Sequence, residues 1–203
     1  MNLNYYYWYF QSVIPERICD EIIKYGKEQN KEMALTGGFG KDNLTKLNIK
    51  NIQKKRKSDV VWMNDRWIYK EIQPYIHQAN ASADWNFEWD FSESCQFTEY
   101  KKGQFYDWHC DSYEEPYNTP DNANTHGKLR KLSMTVSLTD PDEYKGGDLE
   151  FGITDETGKN NYTAKKTRGS ITIFPAFLSH RVTPITKGTR HSLITWMLGD
   201  CFV

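Results

Sequence analysis

The segment Gln104–Asp111 reads QFYDWHCD and holds the side chains best suited to chemistry. Side chains alternate along a strand, so His109 and Asp111 share one face while Trp108 and Cys110 share the other. An imidazole and a carboxylate pointing the same way can be two ligands on one edge of a metal ion. In isolation such a pair also reads as a hydrogen-bonded couple on a strand. A third ligand has to come from elsewhere. His180 is the best candidate, because it opens a β-like run after an apolar strand ending in Phe174–Pro175. Two His and one carboxylate leave half of a coordination sphere open, the facial arrangement of non-haem Fe(II) centres. Zinc sites also use two His and one carboxylate. The usual zinc version, however, sets two His one helical turn apart in H-E-x-x-H, which is absent.

The downstream spacing strengthens the metal reading. Arg190, in GTRHSLITW, follows His180 by ten residues. A hairpin centred near Thr186 would place Arg190 opposite Val182, on the face of His180 and roughly 7 Å from it, the scale of a diagonal cross-strand neighbour. That separation suits a short dicarboxylate such as 2-oxoglutarate. Its keto-acid end chelates iron while its far carboxylate takes a bidentate pair from Arg. A buried Arg on the inner face of an apolar strand needs such a counter-ion. His191 should face away from Arg190. It is read, with His77 and His126, as structural.

These residues need a scaffold. Residues 1–13 are aromatic and extended in character. Pro15 opens a helical pattern with Ile14, Ile18, Ile22 and Tyr25 on one face and Asn30 near its end, about four turns in all. Residues 36–57 hold three glycines and many Lys and Asn without an apolar period, and read as a loop or lid. The basic run Lys54, Lys55, Arg56, Lys57 within it reads as a solvated turn, with a partner-binding patch as the alternative. Ser58–Met63 is a predicted strand, and 65–83 a second helix with Trp67, Ile68, Ile72 and Ile76 at helical spacing and Pro74 as an irregularity. From Trp85 onward short β-like runs recur at 85–91, 94–100, 105–111, 131–138, 148–151, 170–174, 180–185 and 190–198. Two helices and then about eight short strands predict an α+β fold, mainly β, in which an antiparallel sandwich or barrel carries supporting helices on one side. The polar connections 112–130 and 153–168 read as lids, binding loops or disordered segments.

Composition narrows the classes. Seven Trp, thirteen Tyr and ten Phe can fill a core that aliphatics alone would leave thin, which argues against disorder. Lys plus Arg (26) balance Asp plus Glu (27), so no global cationic field favours nucleic acid or a membrane surface. The longest apolar stretch, near Ile171–Leu178, is too short to span a bilayer. The opening MNLNYYYWYF lacks the basic start and aliphatic run of a signal peptide. Four scattered cysteines without a C-x-x-C pair are read as reduced thiols, and the expected location is cytoplasmic.

Taken jointly, Tyr100-x-x-Gly103-x-x-Tyr106-x-x-His109-x-Asp111, then Gly146–Gly147–Asp148–Leu149, then Phe174–Pro175, His180 and Arg190, resemble the iron- and 2-oxoglutarate-dependent dioxygenases. The likeness is strongest to the prolyl 4-hydroxylase-like branch with its bacterial and phage relatives, and covers about residues 94–200. The resemblance implies a double-stranded β-helix (jelly roll) in a single domain over 1–203, with 1–84 as helical support and lid and 85–203 as core. It implies His109, Asp111 and His180 as iron ligands and Arg190 as the partner of the distal carboxylate of 2-oxoglutarate. Many prolyl hydroxylases carry Lys there, so Arg190 is a departure, one common in the microbial branch. Tyr100 matches a tyrosine whose hydroxyl touches the same carboxylate. Gln96, Ser133 and Trp196 fall where family members line the cosubstrate pocket; ordinary core or strand positions are the alternative.

The resemblance further implies Fe(II), 2-oxoglutarate, O2 and ascorbate as reductant, with hydroxylation of prolyl residues in a peptide or protein. The polar loops could close over an extended chain, and Tyr106, Trp108 and Tyr113 either pack on a proline ring or belong to the core. A small-molecule hydroxylase is a further possibility. Nucleic-acid demethylases of the superfamily usually carry a second Arg six residues after the first, where this chain has Trp196. A jelly-roll binding module with a structural metal or none is the non-catalytic rival.

Overall fold

A computed structural model describes residues 5–35, 45–154 and 160–202. Along the chain run β1 (Trp8–Phe10), α1 (Glu16–Glu28), β2 (Glu32–Met33), α2 (Lys46–Lys55), β3 (Arg56–Lys57), β4 (Asp59–Met63) and α3 (Arg66–Ser82). Next come β5 (Phe91–Ser92), β6 (Cys95–Tyr100), β7 (Phe105–His109), β8 (Leu129–Ser137), β9 (Lys145–Gly146) and β10 (Leu149–Thr154). The last are β11 (Asn160–Thr163), β12 (Ile171–Pro175), β13 (His180–Val182), β14 (Ile185–Lys187) and β15 (Arg190–Gly199).

The larger sheet has the order β1-β12-β8-β15-β6-β4-β2, with β5 added to the end of β15. The smaller has the order β11-β10-β13-β7-β3, and β14 pairs with β9 in a separate ribbon. All pairings are antiparallel. From β6 the chain alternates between the two sheets: β6 large, β7 small, β8 large, β10 small, β12 large, β13 small, β15 large. That alternation is the winding of a double-stranded β-helix.

The helices form where the apolar period dictates. Helix α1 begins after Pro15 and buries Ile18, Cys19 and Ile22; α3 buries Ile68, Ile72, Ile76 and Ala79 and carries Pro74 inside it. One apolar cluster joins these residues to Phe97, Leu132, Val136, Ile173, Leu193 and Met197 of the large sheet. Gly26 permits the close approach: a Cβ there would sit 2.6 Å from the Phe97 ring. On β15, Leu193 and Met197 enter this cluster, while Arg190, Ser192, Ile194 and Trp196 line a cavity on the other face. Period-2 alternation therefore splits one strand between core and cavity.

Several expectations are corrected. Residues 45–57 are not loop: Thr45 caps α2 by accepting from the Asn48 amide, Ile52 is buried, and β3 follows. The rest of the 36–57 stretch lies outside the described residues. Arg56 is not a solvated turn residue but is buried. The run 85–91 is mostly not strand, because Asp84 and Asn86 take positive φ and the Asn80 amide holds Phe87; only Phe91–Ser92 pairs. Within 153–168, residues 160–163 form β11 against β10. Residue 84 does not divide helices from sheet, since β1 to β4 join the two sheets.

Candidate active site

Two strands of the small sheet set the two imidazoles side by side. His109, at the end of β7, pairs in register with His180, at the start of β13. Their ring centroids lie 4.2 Å apart. Asp111 falls just past the strand rather than on it. The Asp111 and Ser112 amides both donate to the Ala176 carbonyl (2.8 and 2.9 Å), and this turns the carboxylate back toward the rings. One ligand atom from each of His109, Asp111 and His180 lies within 4.8 Å of the others. This is the cluster of metal-ligating type found among the described residues.

The protonation pattern suits a cation. His109 Nδ1–H donates to the Asp107 carbonyl and His180 Nδ1–H to the Leu178 carbonyl, each at 2.8 Å. A carbonyl can only accept, so these bonds assign the proton of each neutral ring to Nδ1 and leave the Nε2 lone pair free. Both Nε2 atoms face Asp111, at 3.6 and 3.4 Å. Burial, aided by nearby His180, pushes His109 down to about 3. Burial opposes charge on Asp111, but His180 and His109 when protonated, together with Arg130 and the Ser133 hydroxyl, hold its carboxyl below the usual carboxylate range. Two bare nitrogens and an ionised carboxylate thus converge, which is a donor set for a divalent cation.

The ligand rings are wedged by aromatics. Tyr106 stacks on His109 with centroids 3.4 Å apart, and Phe174 meets His180 edge-on at 4.7 Å. The open side of the cluster faces a cavity of about 420 Å³, a size usual for small-molecule sites. Arg190 and Tyr100 form one of its walls, on one rung of β15 and β6. Arg190 is 4% exposed; its Nη1 donates to Ser192 Oγ at 3.1 Å, and no carboxylate among the described residues reaches it as an ion pair. Gly147 makes room for its stem, since a Cβ there would lie 2.9 Å from Arg190 Cδ.

The route by which Arg190 arrives differs from the expected hairpin. Pro184 has no N–H with which to continue the β13 ladder. The Thr183 amide donates to Asp148 and the Ile185 amide to Gln104, and Ile185 pairs with Gly146. These bonds carry the chain out of the small sheet. Arg190 enters the large sheet opposite Tyr100, not opposite Val182.

Gln96 and Trp196 also line the cavity. Gln96 Nε2 donates to Thr98 Oγ1, whereas the Trp196 indole N–H is buried with no partner among the described residues. Ser133 stands apart: it is fully buried behind Asp111 and donates to Asp111 Oδ2 at 2.7 Å. It orients the carboxylate instead of lining the cavity. Trp108 points away from the cavity, under Arg181, while Tyr106 and the exposed Tyr113 are on the cavity wall. His191 faces away from Arg190 as expected, bonded to Thr139 and Glu99. Sequence reasoning missed Arg56, which also lines the cavity. Its burial has no local signal, because it sits in the sequence among Lys54, Lys55 and Lys57.

Comparison with known proteins places this geometry in a family. The sequence model of the 2OG-Fe(II) oxygenase superfamily matches residues 95–198, just over half of the chain. A PKHD-type hydroxylase of Alteromonas mediterranea is 36% identical over 102 residues, 50% of this chain and 41% of the relative. A PKHD-type hydroxylase of Synechococcus is 39% identical over 77 residues, 38% of this chain and 33% of the relative. The matches thus cover less than half of these relatives. Among solved structures, the viral collagen prolyl hydroxylase vCPH of Paramecium Bursaria Chlorella virus-1, in complex with 2OG, superposes with TM-score 0.65 at 18% identity, covering 97% of each chain. A Pseudomonas putida prolyl-4-hydroxylase gives TM-score 0.65 at 16% identity, over 96% of this chain and 92% of that one. These two likenesses bear on fold and agree with the double-stranded β-helix. The chain belongs to the 2OG-Fe(II) oxygenase superfamily.

Proposed function

We propose that the protein is a Fe(II)- and 2-oxoglutarate-dependent dioxygenase that hydroxylates a C–H bond, with prolyl residues of a peptide or protein as substrate. One observation carries the reading. A His109–Asp111–His180 donor set opens onto a cavity whose wall holds Arg190, buried and without a carboxylate partner among the described residues. A bare metal site would not need that cation, and a buried guanidinium calls for an anion.

In this reading His109, Asp111 and His180 hold Fe(II). Iron bound there supplies O2 activation coupled to decarboxylation of 2-oxoglutarate to succinate and CO2, with one oxygen atom going to the substrate. The chain supplies position. Ser133 keeps Asp111 aimed, and the Asp107 and Leu178 carbonyls keep both Nε2 lone pairs turned to the ligand cluster. Arg190 pairs with the distal carboxylate of 2-oxoglutarate, beside the Tyr100 hydroxyl, and Gln96 and the unpartnered Trp196 N–H line the same cavity.

The prolyl substrate rests on the PKHD-type and prolyl hydroxylase relatives; one neighbouring fold, from Trichoplax adhaerens, is a prolyl hydroxylase in complex with a hypoxia inducible factor peptide. Ascorbate would be the reductant that supports turnover. Four free cysteines suit a cytoplasmic setting, and no helix of the described residues is long and apolar enough to cross a membrane.

The test is incubation with Fe(II), 2-oxoglutarate, ascorbate and a library of proline-containing peptides. Succinate release with a gain of one oxygen atom on a peptide is the expected result. Tight zinc binding with no succinate would overturn it in favour of a non-catalytic metal-binding module.

A further inference from the structure

We infer that Arg56 binds a carboxylate on the primary substrate, so that the group oxidised lies next to an acid; this rests on the oxygenase reading of the site. Arg56 opens β3 and pairs in register with Tyr106 of β7. Its guanidinium carbon is 4.5 Å from the centre of the Tyr106 ring, and that ring stacks on His109 at 3.4 Å. One aromatic ring therefore separates Arg56 from a ligand of the proposed metal.

Charge compensation is what sets Arg56 apart. It is 6% exposed and lines the cavity. Its Nε donates to Ser58 Oγ at 3.1 Å, a neutral partner. No carboxylate among the described residues reaches it as an ion pair. Arginines elsewhere in the fold are served differently: Arg130 has Glu93, Arg168 has Asp20 and Arg181 has Glu150. Arg56 and Arg190 are the two buried arginines lacking such a partner among the described residues, and both face one cavity.

A dicarboxylate cosubstrate supplies one anion to Arg190 and commits its other end to the metal. Asp111 already accepts from Ser133 and belongs to the metal donor set. Nothing in that inventory neutralises Arg56, and Lys55 on the same wall adds charge of the same sign. A neutral peptide carbonyl would leave the guanidinium uncompensated, whereas a carboxylate gives it a charge-assisted, bidentate partner. Two sources share this chemistry: the α-carboxylate of a free amino acid, or an acidic residue adjoining the target in a peptide.

Binding to the Fe(II)- and 2-oxoglutarate-loaded protein, kept anaerobic and read by calorimetry, separates them. The probes are L-proline against L-prolinamide, and end-blocked Gly-Pro-Asp-Gly against end-blocked Gly-Pro-Asn-Gly. The expected result is preference for the acid over its amide by about tenfold or more in one of the two pairs, which identifies the source. Arg56→Gln should bring the acid down to the amide while leaving 2-oxoglutarate affinity within about twofold, and Arg56→Lys should keep part of the preference. Equal binding of acid and amide in both pairs, or a preference that survives in Arg56→Gln, would overturn the inference. If Arg56→Gln does not fold, the wild-type pairs and Arg56→Lys decide. Because the readout is binding, loss of the oxygenase reading through absent succinate would be seen separately from loss of this one.

Discussion

On the helix side of β15, His191 donates to Glu99 and is met by Thr139, its ring stacks on Phe97, and Thr195 donates to the Glu93 carbonyl. On the cavity side of the same strand, among the described residues, Arg190 has a single hydroxyl as hydrogen-bond partner and the Trp196 N–H has none. Ten residues of one strand thus carry a polar face completed from within the fold and a polar face left open. Folding stability accounts for the first. The second costs stability in the free protein, because buried polar groups without partners are unfavourable. In the proposed function it is completed by 2-oxoglutarate and the substrate.

Substitutions that act on one face only test this contrast. Asp111→Ala has the largest expected effect. It removes the only carboxylate of the donor set, so 2-oxoglutarate turnover should be abolished and stoichiometric metal binding lost, read by succinate release and metal titration. Full turnover would remove Asp111 from the ligand set. Arg190→Gln comes next. Loss of a buried charge partner should weaken 2-oxoglutarate binding on the order of a hundredfold. The thermal midpoint of the cosubstrate-free protein should hold or rise, since an uncompensated buried charge is removed. Unchanged affinity would move the anchor elsewhere.

The smallest effect is expected on the completed face, at Glu99. Burial opposes its ionisation, but hydrogen bonds from Lys31, Lys101 and His191 win and lower it from 4.5 to about 2. A carboxyl depressed in the folded state adds stability above its unfolded value, and that stability fades as pH falls toward the folded value. Lys31 and Lys101 are partly exposed, so screening leaves roughly 1–2 kcal/mol, lost between pH 4.5 and about 2. Denaturant midpoints across that window should flatten in Glu99→Gln, with 2-oxoglutarate affinity near neutral pH little changed. A slope identical to wild type would show that other carboxylates carry the acid response.

How much of this was legible in the sequence follows from the range of each signal. Helices α1 and α3 announce themselves because Ile18, Ile22, Ile68, Ile72 and Ile76 repeat at helical spacing. Opposite facings of Arg190 and His191 follow from period 2 alone. The strand that receives Arg190 is not local information. Residues 190 and 180 are close in sequence, yet a hairpin between them fails at Pro184, and the true neighbour is Tyr100, ninety residues away. Helix α2 hid behind Lys and Asn because only Ile52 of its apolar residues is fully buried. Strands of two or three residues, such as β2, β3 and β9, are too short to show any period. Ser133 shows a different limit: its position was legible, but whether it faces the cavity or the back of Asp111 depends on three strands at once.

Both imidazoles are aimed by main-chain oxygens, those of residues 107 and 178. Every amino acid carries that oxygen, so the aim of the rings depends on where the chain runs at 107 and 178; the side chains there act on that path instead, Asp107 by accepting from the Trp108 amide and Leu178 by packing against the cluster that holds Phe151 and Phe174. The centre is in this respect written into the path of the backbone, and inheritance of the fold alone transmits the aim of two of its three ligands.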